Sequence, residues 1–311
     1  MIVRAHRFAP AIFFVAVLAL LTVACGGAPA KSPAKATSNA WLRVLVDDTS
    51  DPELVIRPHD AAQDPVFGPV LRRGEREAAA SIGNVLVGQS SLKVFEESDL
   101  VIVAARRSHP LDAVLVFAGV PASASPDALV DENGNALWTK VAARVSGTTE
   151  YERVGTGRES GDIRLVAFGR TWIMAVGPAI DRMYSALAIA PPEPLEADKG
   201  PLFEAVLAGE LLDAMKRRSA DNLGPLMGGL TRANVDVEGG KAPAVTIALA
   251  YDSDEHATRA ADFVKILLAV VDAKKPQFRE YLKTITLARE PRKVIVKSPV
   301  PARMVEELLR G

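Results

Sequence analysis

Cysteine, histidine, clustered carboxylates and glycine-rich loops are the groups that could carry chemistry in this chain, and each needs a particular spacing to do so. The 311 residues include one cysteine, Cys25, near the N terminus. Beyond the first forty residues stand three histidines, His59, His109 and His256, too far apart for a ligand pair on one turn or one strand. Asp47, Asp48 and Asp51 could hold a cation, but the spacing of a calcium loop is absent and a solvated, capping turn is expected. Asp131-Glu132-Asn133-Gly134-Asn135 begins like such a loop, yet Ala142 stands where the closing glutamate belongs, so it reads as a turn. A phosphate cradle at Gly155–Gly161 would need a strand before it and a helix after it; the strand-like Ile163–Phe168 follows instead, which predicts a hairpin loop. No serine sits in a Gly-x-Ser-x-Gly elbow. Choosing Ser81 or Ser108 as a nucleophile with His109 would be arbitrary, and His109 is expected on a surface loop.

Cys25 is the exception, because its surroundings are specific. Arg4 and Arg7 precede an apolar run from Ala11 to Val23, closed by the small Ala24. A basic start, a short apolar core and a small-residue exit form a secretory signal peptide, and the run is short of the ~20 apolar residues of a membrane-spanning helix. Leu21-Thr22-Val23-Ala24-Cys25 resembles the lipobox of bacterial lipoproteins, with Thr22 where leucine is commonest. The resemblance covers residues 1–25 and implies cleavage after Ala24 and acylation of the Cys25 thiol. It further implies a palmitate-type anchor in the cell envelope. Gly26 follows the cysteine, where an inner-membrane retention signal would place aspartate, which favours the outer membrane. Two or more acyl chains anchor stably, at about 0.8 kcal/mol per buried methylene. Once Cys25 is acylated no thiol remains, so disulfides, thiolate catalysis and cysteine metal sites are all excluded.

Composition narrows the function classes. Without Arg4 and Arg7 the chain keeps 35 basic against 38 acidic residues, a net charge of about −3. No basic field exists to attract nucleic acid. Aromatics are 5% of the chain, too few for stacking platforms, while 49% apolar content supports a globular core. No cofactor and no metal are expected.

Residues 26–39, rich in Gly, Pro, Ala and Ser, read as a tether reaching up to about 40 Å at some 3 Å per residue. Behind it the chain runs twice through one plan. Pro65-Val66-Phe67 and Pro201-Leu202-Phe203 are both expected to open helices, with Asp64 capping the first. Ser81–Leu92 parallels Ser219–Leu230, and Val114–Phe117 parallels Val245–Ala248. The hairpin Arg164–Ala167/Trp172–Val176 parallels Thr286–Ala288/Lys293–Val296, and Pro178–Met183 parallels Pro299–Met304. The common order points to a duplication. Between its halves, Pro191–Gly200 reads as a stiff linker.

Several elements are expected on local grounds. Trp41–Val46 reads as a strand by its β-branched content. Ser253–Lys274 is a strong helix, capped by Asp252 with Glu255 three residues on and stopped by Pro276. Ser125–Val130 and Ala136–Arg144 fill the corresponding helical slot of the first half. The expected fold is α+β: two related units, 41–190 and 201–311, of antiparallel strands with amphipathic helices on one face.

The most unusual stretch is Asn222–Leu230, where Leu223, Leu226, Met227 and Leu230 hold helical spacing among three glycines and a proline. It reads as a core helix with close backbone approach, or as an apolar segment docking a partner or lipid. The functional expectation is a lipid-anchored envelope protein acting as a non-enzymatic binding or scaffold module, its partner an envelope protein. A carrier of apolar or lipid ligands is the alternative, and an envelope hydrolase with dispersed residues is a third.

Overall fold

The computed structural model describes residues 39–301 apart from 47–49, 52, 70–88, 107–111, 132, 155–162, 190–191 and 198. Cys25, its leader and most of the tether lie outside the described residues, as do Asp47, Asp48, Ser81, Ser108, His109 and the Gly155–Gly161 loop.

Among the described residues the chain forms twelve strands: β1 (Glu53–Ile56), β2 (Leu100–Arg106), β3 (Asp112–Ala118), β4 (Trp138–Val141), β5 (Thr149–Arg153), β6 (Ile163–Phe168), β7 (Thr171–Val176), β8 (Phe203–Ala208), β9 (Leu230–Glu238), β10 (Ala244–Tyr251), β11 (Thr286–Glu290) and β12 (Lys293–Pro299). They form one sheet in the order β11-β12-β10-β9-β8-β1-β2-β3-β7-β6-β5-β4, with antiparallel pairing at each join. The fold is therefore α+β on a large antiparallel sheet, joined at its middle where β1 pairs with β8 and Val55 faces Glu204.

Seven α-helices are described: α1 (Ala40–Leu45), α2 (Pro58–Gln63), α3 (Gln89–Glu97), α4 (Ala179–Ile189), α5 (Gly209–Met227), α6 (Asp254–Lys274) and α7 (Arg279–Leu282). Among the described residues no helix is long and apolar enough to cross a membrane. Helices pack on both faces of the sheet, not on one. Trp41, Leu42 and Leu45 of α1 and Met183, Ala186 and Leu187 of α4 cover Val55, Ile102, Val116 and Ile173. On the opposite face Val94 of α3 meets Val101, Leu115 and Met174, while α5 and α6 cover Leu207, Leu249 and Val294. Strands buried on both faces cannot show clean polar alternation, which explains the fully buried run Thr171–Val176.

Several local expectations are corrected. Trp41–Val46 is not a strand; Trp41, Leu42 and Leu45 fall at helical spacing and α1 buries all three. Burial of that stripe outweighs the β preference of Val44 and Val46. Phe203–Ala208 opens no helix but is β8, held between β1 and β9 near the middle of the sheet. Ser125–Val130 keeps only the 3-10 turn Pro126–Ala128, and within Ala136–Arg144 the chain forms edge strand β4, with Leu137 and Trp138 buried against β5 and β7. Leu195, within the segment read as a stiff linker, is buried in the core, and its N–H donates to Thr171 Oγ1 at 2.7 Å.

Other readings agree with the structure. Asp64 Oδ1 accepts from the N–H groups of Val66 and Phe67 at 2.8 and 2.9 Å. The β6–β7 hairpin turns at Gly169, whose φ of 54° suits glycine. The β11–β12 hairpin turns through Arg292 at φ 55°, and Asp254 Oδ1 holds its N–H at 2.6 Å.

Candidate site: the charged seam and the open half-face

Charge concentrates where the two halves of the sheet meet. Asp51, expected in a solvated turn, is 1% exposed. Its N–H donates to Ala105 O at 2.7 Å and its carboxylate accepts from Ala208 N–H at 3.3 Å, joining the end of β2 to the end of β8. Glu53 is also buried, one strand from Arg232. Burial pulls the Arg232 guanidinium below its ordinary value, and the carboxylates of Glu53 and Asp51 oppose that. Arg232 Nε donates to Asn234 Oδ1 at 2.7 Å.

At the other end of the seam Arg57 crosses the start of β8. Its Nη1 donates to Pro201 O at 2.5 Å and to Glu204 Oε1 at 3.0 Å. Gly200 makes room for it: a Cβ there would lie 2.5 Å from Arg57 Nη2. Register places Asp236 of β9 directly opposite Glu204. Burial raises the Asp236 carboxyl above the usual carboxylate range, and the charges of Glu204 and Glu238 push it further. Like charges directly opposite on neighbouring strands destabilise a sheet.

The sign of the consequence follows. A carboxyl raised in the folded state takes up its proton before the unfolded chain does, so its penalty is full at neutral pH and disappears as pH falls toward the unfolded value near 3.8. Asp236→Asn is expected to stabilise the protein by a few tenths to about 1 kcal/mol at pH 7, a gain that shrinks on acidification to pH 4. Urea titrations of both proteins across that range check it; a gain independent of pH would show that the carboxylate pair is not its source.

Glu204, Arg232, Asn234 and Asp236 share one face of β8 and β9 with Thr246 of β10 and Lys297 of β12. The helices of this half, α5 and α6, pack on the other face. The polar side is thus a broad surface of alternating sign, with Lys297 Nζ bonded to Glu238 at 3.1 Å. The signal was present in the sequence as the i, i+2, i+4 series Asn234, Asp236, Glu238, which reading for catalytic motifs passed over.

His256 is the one described histidine with both a serine and a carboxylate in reach. Ser253, not Asp252, is the N-cap of α6, and its Oγ accepts from His256 N–H at 3.2 Å. Asp252 Oδ1 and Ser253 Oγ lie 2.6 and 3.0 Å from the same imidazole nitrogen, Nδ1. A relay needs the carboxylate on one ring nitrogen and the nucleophile on the other. Two groups competing for one nitrogen make a helix-end cap, and the bond to His256 holds the Asp252 carboxyl below its usual range. The ring also closes over Gly229, where φ is 68° and a Cβ would lie 2.2 Å from Nδ1. His59 Nε2 meets Gln63 Nε2 at 2.7 Å on exposed α2.

The Leu223–Leu230 segment ends α5. Leu223 leaves helical geometry (φ −125°), Pro225 follows it, and the turn closes with Gly228 N–H on Gly224 O at 2.9 Å. Met227 and Leu230 are buried among Leu249, Tyr251 and Ala260, with Leu223 and Leu226 half-buried against the same cluster. Tyr251 Oη donates to Leu226 O at 3.0 Å. Of its glycines, Gly229 makes the close approach, to Asp252 and His256 at the start of α6, whereas a Cβ at Gly224 would meet nothing within 4 Å.

Two further clusters are structural. Asp131 Oδ1 accepts from Asn133 and Asn135 N–H, both at 2.8 Å, closing the expected turn. Glu150, 1% exposed, accepts from Arg144 N–H and from the Tyr184 hydroxyl; burial first, then Glu150, pushes that phenol up. Among the described residues no three His, Cys, Asp or Glu side chains gather to hold a metal.

No family model and no curated protein matches the sequence. Among solved structures, the chain is similar to crystal form I of TP0453 at 12% identity and a TM-score of 0.49, over 86% of this chain and 95% of that one.

Proposed function

We propose that this chain is a lipid-anchored cell-envelope protein that acts as a binding or scaffold module. The observation that carries the reading is the coincidence of a signal-peptide leader, the small Ala24 and the chain's sole cysteine at Cys25. Thirteen residues then separate Cys25 from Asn39, where the described body begins with buried α1. That body supports a binding role through the mixed-charge face of β8–β12, and its histidine cluster has the geometry of a cap.

The two halves of the body are, on the same reading, copies of one unit. Strand order supports this: β1-β2-β3-β7-β6 in the first half matches β8-β9-β10-β12-β11 in the second, each closing with a hairpin whose later strand pairs with the third. β4 and β5 are then an insertion where the second half carries α6.

The anchor is tested in cells. Wild-type protein is expected to incorporate labelled palmitate and to fractionate with membranes, whereas Cys25→Ser loses both. Retention of label by Cys25→Ser would overturn the reading. Native-lipidation pull-down from envelope then identifies the partner.

A further inference from the structure

Helix α6 carries two apolar stripes where packing on the sheet uses one. Ala257, Ala260, Ala261 and Val264 are buried against Leu249, Val294 and Val296. Beside that stripe Phe263, Ile266, Leu267 and Val270 recur at three- and four-residue spacing, Phe263 and Leu267 half-buried and Ile266 and Val270 exposed. Ile266 and Val270 are 58% and 43% exposed, two of the four large hydrophobics so exposed among the described residues. Ile266 and Val270 are i, i+4 neighbours, so their exposed side chains form one patch on a helix whose other outward residues include Glu255, Arg259, Asp262 and Lys265. The segment from Lys265 through the end of α6 to Lys283 carries five Lys or Arg and two acidic residues; Lys265, Arg279 and Lys283 are ion-paired with Asp262, Asp272 and Glu280, and Lys274 and Lys275 add positive charge at the end of the helix. Apolar side chains beside a basic rim fit the boundary between anionic headgroups and acyl chains.

We propose that the Ile266–Val270 stripe of α6 rests on an anionic lipid surface. This deepens the anchored reading and rests on it. The tether enters the body at α1, on the face of the sheet opposite α6; at up to about 40 Å it is long enough to pass the sheet edge and let α6 reach the bilayer, so that a weak surface contact becomes effectively intramolecular. The contact would orient the body on the membrane and turn the polar face of β8–β12, which lies on the opposite side of the sheet from α6, away from the lipid.

Residues 25–311, the mature chain expected after cleavage at Ala24, bearing Cys25→Ser serve as the test protein. Val270→Cys in that background provides a single thiol for an environment-sensitive fluorophore. The label is expected to shift to the blue on phosphatidylethanolamine vesicles containing phosphatidylglycerol. Unlabelled protein should co-sediment with those vesicles, more weakly as salt rises. Ile266→Asp should lower co-sedimentation at least tenfold, while Ile189→Asp, equally exposed on α4, leaves it unchanged. Circular dichroism verifies that both variants are folded. Absence of co-sedimentation, or equal binding by Ile266→Asp, overturns the proposal. So does a blue shift that needs no vesicles and grows with protein concentration, which would assign the stripe to a second copy of the chain. The test protein has no acyl group, so failure here leaves the Cys25 anchor standing, and failure of palmitate labelling leaves this result readable.

Discussion

Arg57→Met is expected to cost about 3–5 kcal/mol, because it leaves a buried carboxylate without its counter-charge. The Arg57 and Glu204 side chains are 6% and 12% exposed, and their 3.0 Å contact lies at the joint between β1 and β8. Removing the guanidinium strands Glu204 opposite Asp236 and takes a donor from Pro201 O, at the point where the inter-half segment enters β8. Three proteins separate the pair from its neighbours. Arg57→Met/Glu204→Leu should recover most of the loss, since an apolar pair in place of a buried ion pair is often neutral. Asp236→Asn should help more in the Arg57→Met background than in the wild type, with a coupling of about 0.5–3 kcal/mol. Chemical denaturation supplies each difference. A cost for Arg57→Met below about 1 kcal/mol would mean that the seam is held by its backbone ladder and not by this pair.

How much of this was legible in the sequence divides along the reach of local rules. Hairpins and caps depend on a few consecutive residues, so Gly169 and the α6 pattern gave correct elements and Asp64 holds the N–H groups of Val66 and Phe67, while the helix expected after it lies mostly outside the described residues. The capping assignment slipped by one residue because Asp252 and Ser253 are both good caps, and only the bond from His256 N–H to Ser253 Oγ decides between them. Trp41–Val46 and Phe203–Ala208 failed for a different reason. Each is apolar enough to be helix or strand, and long-range partners choose: α1 meets α4 through Met183 and Leu187, whereas β8 is paired on both edges. Proline misled at 201, where it ends the connecting segment and offers a carbonyl to Arg57.

The candidate site was less legible than the fold. The seam joins Asp51, Glu53 and Arg57 to Glu204, Arg232 and Asp236, residues separated by some 150 positions and brought together only by the β1–β8 pairing. No spacing rule spans that distance. In the sequence the three histidines are too far apart for a ligand pair on one turn, and in the structure Asp252 and Ser253 both meet the same nitrogen of His256. Leu223–Leu230 read as a core helix with close backbone approach or as a docking segment; the kink at Leu223 and the placement on Leu249 and Tyr251 depend on β10, which follows it in the chain.

Trp41→Ala is expected to cost about 3–5 kcal/mol and to act first on the end of the body nearest the tether. Trp41 is 1% exposed and meets Phe168 edge-to-face, with ring centroids 5.7 Å apart and an interplanar angle of 86°. Helix α1 has six residues, too few to persist without packing, so its anchor is the burial of Trp41, Leu42 and Leu45 beneath α4. Losing the indole should therefore release residues 39–46 before the sheet opens. Limited proteolysis should cut ahead of β1 at least tenfold faster, while amide protection in β9, β10 and β12 persists. Trp41→Phe tests the polar part of the side chain: the indole N–H finds no acceptor among the described residues, so its removal should cost under about 1.5 kcal/mol. If Trp41→Ala instead lowers protection evenly across all strands, α1 belongs to the global folding unit. On the proposed anchored reading, a pull on Cys25 would reach the sheet through α1. A helix that detaches alone would then lengthen the chain ahead of β1 by seven or eight residues, about 25 Å, before the polar face of β8–β12 is disturbed.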